Sequence, residues 1–154
     1  MKKEFLLIIL AVILSIGVQP QAAKCQTYCN PLNLAGQLNS ASLSGSGIAD
    51  PTIVLFRDNY FLFASHVGGY WYSGDLLSWK FVTASNLPFE KAAPTAFVIG
   101  DWIYFCSSHS NTIFRSKDPI NGKWDVYCDN SVLLSLINDF AIFVDTDGRV
   151  YCYY

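Results

Sequence analysis

A pattern of about 43 residues repeats along this chain. The stretch from Ile48 to Ser65 reads IADPTIVLFRDNYFLFAS, an aspartate, a short apolar run, a polar turn and an aromatic run. It returns as APTAFVIGDWIYFCS from Ala93 and as DFAIFVDTDGRVYCYY from Asp139. Pro51 to Pro94 spans 43 residues and Pro94 to Phe140 spans 46. Self-similarity at a fixed period restricts a chain to architectures built from one repeated unit.

The repeat extends beyond the hairpin. Ser73 to Ser116, Asp75 to Asp118 and His66 to His109 are each 43 residues apart, and only the step from Trp79 to Trp124 drifts, to 45. The unit predicts four strands, at Thr52–Phe56, Asn59–Ser65, Gly69–Ser73 and Trp79–Thr83. Four short strands in about 40–50 residues is the size of one β-propeller blade. The fold expected is all-β, a β-propeller with about two and a half blades present. Closed propellers have four blades or more, and the final run Arg149–Tyr154 stops inside a strand pattern. The chain is therefore expected to be the N-terminal part of a longer protein.

Composition agrees with a packed β protein. Apolar residues make up 52% and charged residues only 14%, which argues against a disordered chain. The Tyr and Phe residues fall in short strand-like runs. Net charge is −2 with no basic patch, so nucleic acid is set aside as a partner.

Residues 1–23 read as a secretory signal peptide. Lys2 and Lys3 precede a short apolar run from Phe5 to Ile16, and Gln21-Ala22-Ala23 offers small residues for cleavage. The run is shorter than the roughly 20 residues of a spanning helix, so no membrane association is expected after cleavage. The mature protein is placed outside the cytoplasm, secreted or periplasmic. A lipoprotein reading through Cys25 is disfavoured by Lys24 before it. Residues 24–47 form an irregular lead-in, and residues 48–154 hold the repeats.

The five cysteines are 25, 29, 106, 128 and 152. Export permits disulfides. Cys25 and Cys29 are close enough in sequence to pair, although spacing does not establish a bridge. Cys106 and Cys152 are read as occupying the place of Phe63 in the first repeat, as small buried hydrophobes rather than reactive thiols. No His/Cys group has zinc-ligand spacing, and no metal ligand is assigned.

Asp50 and Asp139 open corresponding strands of the first and third copies, where the second has Ala93. Turn chemistry ahead of Pro51 would account for Asp50 alone. In a propeller, however, residues opening successive inner strands converge on the central channel. Two carboxylates meeting there suit acid–base work. Asp58, Asp101, Asp145 and Asp147 fall in hairpin turns and are read as solvated.

These stretches together, ADPTIVLFRDNYFLFAS, YWYSGDLLSWKF, APTAFVIGDWIYFCSS and DFAIFVDTDGRVYCYY, resemble glycoside hydrolase family 43. The resemblance covers about residues 28–154. It implies a five-bladed propeller, and an inverting enzyme that cleaves arabinofuranosyl or xylosyl linkages in plant polysaccharides. Asp50 matches the family's general base. Asp139, followed here by Phe140 where the family usually has proline, matches the aspartate that orients the general acid and tunes its pKa. The acid itself is a glutamate on a later blade. Glu90 comes too early to match it, so this chain alone is expected to be inactive. Trp71 could offer a stacking surface to a sugar, with blade packing as the plainer account. No cofactor is expected; a channel-bound calcium occurs in the family, but no residue here is assigned to it. The partner implied is an arabinose- or xylose-containing glycan. The alternatives are a non-catalytic glycan-binding propeller and a structural one. The Ser73-x-Asp75…Trp79 element also resembles the Asp-box of sialidase propellers, but lacks its Gly-rich turn.

Overall fold

The computed structural model describes residues 34, 49–65, 67–88, 93–108, 110–129 and 132–154. The expected signal peptide, the lead-in apart from Leu34, and Cys25, Cys29, His66, Glu90 and His109 lie outside the described residues. Among the described residues no helix is long and apolar enough to cross a membrane.

The protein is all-β, in antiparallel sheets. The first sheet holds β1 (Thr52–Phe56), β2 (Asn59–Phe63), β3 (Gly69–Ser73) and β4 (Lys80–Thr83), in that order. The second repeats the order with β5 (Pro94–Ile99), β6 (Trp102–Ser107), β7 (Ile113–Asp118) and β8 (Lys123–Cys128). The third is the hairpin of β9 (Ala141–Val144) and β10 (Val150–Tyr153). The four strands expected in the first unit are present, two of them shortened by one or two residues at one end. A short helix, α1 (Val132–Leu136), and a 3-10 turn at Pro119–Asn121 were not evident in the repeat pattern.

Turn chemistry fixes the first two hairpins. Arg57 and Asp58 carry φ of 47° and 62°, the doubly positive turn that matches strand twist. Gly100, at φ 55°, takes the first central place of the second. Both turns are two residues long, so Thr52 pairs with Phe63 and Thr95 with Cys106.

The third hairpin differs, and it corrects one expectation. Five residues, Asp145 to Arg149, separate paired Val144 and Val150, so Cys152 faces Ile142 and Tyr153 faces Ala141. The counterpart of Phe63 and Cys106 is thus Tyr153. Cys152 instead corresponds to Leu62 and Phe105. A shift of one residue moves a side chain to the opposite face of its strand, and the longer turn supplies that shift.

The main core lies between the first two sheets. Phe63 and Phe105 are fully buried, with ring centroids 5.2 Å apart. Trp124 meets Phe63, Tyr70 and Phe105 at 5.9–6.2 Å, each edge-on or nearly so. Its indole Nε1 donates to the Tyr70 hydroxyl at 2.9 Å, and that hydroxyl donates to the Pro119 carbonyl. Burial raises the Tyr70 pKa well above the ordinary phenol range. Gly122 follows the 3-10 turn at φ 67°, where an added Cβ would lie 2.9 Å from the Thr83 carbonyl oxygen. Only glycine meets both demands. The two-residue drift between Trp79 and Trp124 coincides with the loss of regular register between β7 and β8.

A second, smaller cluster joins Cys106, Leu134, Ile137 and Phe140, with Ile142 and Cys152 packed against it. It fills the space between the second and third sheets. The first strands of the three sheets lie side by side, β1 against β5 and β5 against β9.

Candidate functional site

Those three strands begin at one pocket. Its lining is three matching triplets, Asp50-Pro51-Thr52, Ala93-Pro94-Thr95 and Asp139-Phe140-Ala141, around about 250 Å³. This is just below the roughly 300–1,000 Å³ usual for ligand pockets. The repeat makes the pocket, since each sheet contributes the same three positions.

Asp50 and Asp139, singled out from the sequence, are brought together here, and both are exposed. Ala93, between them in the repeat order, is buried. All three have a left-handed backbone, with φ of 52°, 48° and 50°. Aspartate tolerates that region better than most residues, and alanine does not.

Two serines that sequence reading passed over support this rim. Ser65 Oγ donates to Asp50 Oδ2 at 3.3 Å and accepts from the Ala93 amide at 3.0 Å. Ser108 Oγ accepts from the Asp139 amide at 2.8 Å. Both serines are 1% exposed. They stand 43 residues apart, so the repeat spacing carried a signal for them. The Ser65 amide also donates to the Ala49 carbonyl at 3.0 Å, which closes the strand end beside Asp50.

Trp71 does not line this pocket. It is 1% exposed, packed edge-on against Phe81 at 5.1 Å, with its indole nitrogen buried and without a partner among the described residues. Its surroundings are those of a core residue.

The hairpin aspartates Asp58, Asp101 and Asp147 are exposed, and Asp145 is half-buried in its turn. Asp75 has a definite local task. Its Oδ1 accepts from the Ser78 and Leu77 amides at 2.8 and 2.9 Å and from the Ser73 hydroxyl at 2.9 Å. Those bonds, the Ser78 amide first, lower its pKa to about 2. Burial pushes the Cys106 thiol up to about 12, as befits an inert core residue. Among the described residues no group of three or more His, Cys, Asp or Glu is set to hold a metal ion.

Comparison with protein families, with curated proteins and with solved structures finds no match for this chain.

Proposed function

We propose that this chain is part of an exported glycoside hydrolase of the five-bladed propeller type, acting by inversion on arabinofuranosyl or xylosyl linkages. In this reading the sheets are successive blades, and their inner strands open on the substrate channel. The observation that most supports it is the pocket shared by Asp50 and Asp139, reached from matching positions of the first and third sheets.

Asp50 is the general base that takes a proton from the attacking water. An inverting pair of carboxyl groups stands roughly 6.5–9.5 Å apart to admit that water. Asp139 orients the general acid and keeps it protonated through like-charge repulsion. The acid is a glutamate. Neither Glu4 nor Glu90 opens an inner-strand repeat, so neither is assigned the role, and no turnover is expected from this chain alone.

The test is titration of the isotope-labelled protein with arabino- and xylo-oligosaccharides, followed by NMR. Amide resonances of residues 50, 93, 95 and 139–141 should move, and Asp50→Asn and Asp139→Asn should each weaken the effect. Perturbation confined to another surface, or none at millimolar sugar, would overturn the reading.

A further inference from the structure

Three residues with one backbone conformation open the three inner strands. For Asp50 and Asp139 the left-handed φ is within the residue's own tolerance. For Ala93 it is not, since alanine has no side-chain oxygen to bond locally. Something other than residue preference must hold Ala93 there.

The preceding sheet supplies it. At the end of β2, Ser65 offers its hydroxyl oxygen to the Ala93 amide, at 3.0 Å. At the end of β6, Ser108 does the same for the Asp139 amide, at 2.8 Å. Each bond runs from one sheet to the first residue of the next. Both hydroxyls are buried away from competing water.

We propose that Ser65 and Ser108 are positioning residues that set the pocket rim, each fixing the backbone of the rim residue in the following sheet. Ser65 has a second task, because its hydroxyl proton points to Asp50 Oδ2. One hydroxyl thereby ties the first rim residue to the second. The 3.3 Å length makes this the weaker of its two bonds. Under the hydrolase reading above, on which this second task rests, it holds Oδ2 and leaves Oδ1 to receive the proton from water. Ser108 has no such carboxylate in its own sheet, because Ala93 stands where Asp50 would. The rim is thus asymmetric: among the described residues one carboxylate is held through its oxygen and the other residue through its backbone amide.

Amide hydrogen exchange on the whole chain tests the backbone role without any substrate. In Ser65→Ala, exchange at Ala93 should rise about tenfold or more, with Phe61 and Phe105 unchanged. Ser108→Ala should do the same at Asp139 and not at Ala93. Ser65→Thr, which keeps the hydroxyl, should restore protection. The side-chain carboxyl carbon resonance of Asp50 should move in Ser65→Ala and return in Ser65→Thr. If Ser65→Ala does not fold, Ser65→Cys keeps the volume with a weaker acceptor and is read in the same way. Unchanged exchange at Ala93, or a rise by one common factor at every strand amide, would overturn the backbone role. A still Asp50 resonance would overturn the carboxylate role. Because no sugar is present, these failures are distinct from a failure of the oligosaccharide titration.

Discussion

The indole of Trp124 donates a hydrogen bond at 2.9 Å to the hydroxyl of Tyr70, from the second sheet to the first and across 54 residues of chain. The same hydroxyl donates to the Pro119 carbonyl, so one oxygen satisfies two buried groups.

Tyr70→Phe should therefore cost more than one ordinary hydrogen bond. It keeps the ring packing but strands the Trp124 N–H, while the Pro119 carbonyl keeps the Gly122 amide at 3.0 Å. An unsatisfied buried polar group costs about 1–3 kcal/mol. Urea unfolding followed by tryptophan fluorescence should show a loss in that range, with an unchanged slope on denaturant.

Ala93→Gly should stabilise the protein. Holding a non-glycine L-residue in the left-handed region costs roughly 1–2 kcal/mol. Glycine's extra unfolded-state entropy returns about 0.5–1 kcal/mol of that. A net gain of roughly 0.5 kcal/mol is expected, seen as a raised unfolding midpoint. Ala96→Gly, three residues on inside β5, should have the opposite sign, because that position is regular strand.

Asp75 should contribute to acid stability. Its folded pKa of about 2 lies below the ordinary value of 3.8. The unfolded chain therefore takes up the proton first as pH falls. The advantage of the wild type over Asp75→Ala should be full above about pH 5 and fade as pH falls toward 2. Denaturant midpoints for both proteins across that window measure it.

Cys106 gives the reverse dependence. Its thiol is raised from 9.0 to about 12, so the unfolded chain loses the proton first as pH rises. The advantage of the wild type over Cys106→Ala should shrink from about pH 9 upward. At pH 8 a thiol reagent on the native protein should modify half-exposed Cys128 well before Cys106. Mass mapping after brief labelling distinguishes them.

The strands were legible because their residues speak locally. Val, Ile, Phe and Tyr runs are broken by Arg57-Asp58 and Gly100-Asp101, and turn and strand signals agree there. The pairing of Asp50 and Asp139 in one pocket was legible because the repeat equates their positions. The register of the third hairpin was not. Counting back from Cys152 assumes a two-residue turn, whereas Asp145–Arg149 makes a five-residue one with its own bonds, the Asp145 amide donating to the Arg149 carbonyl at 2.9 Å. Helix α1 was missed because five residues are too few to show a helical period. The serines were missed because serine carries no strong signal of its own. What Ser65 and Ser108 do depends on the start of the next sheet, 28 and 31 residues away.

The contact between Tyr70 and Trp124 also sets an order of events during synthesis. The first sheet can be complete when Thr83 leaves the ribosome, yet the face carrying Phe63 and Tyr70 is fully covered only once β6 has brought Phe105 and β8 has brought Trp124. At roughly 5–20 residues per second, the 54 residues between the two partners take about 3–11 seconds to make. Until then the nascent chain displays an aromatic surface that is at best partly covered. A chaperone that meets this protein early would meet it there.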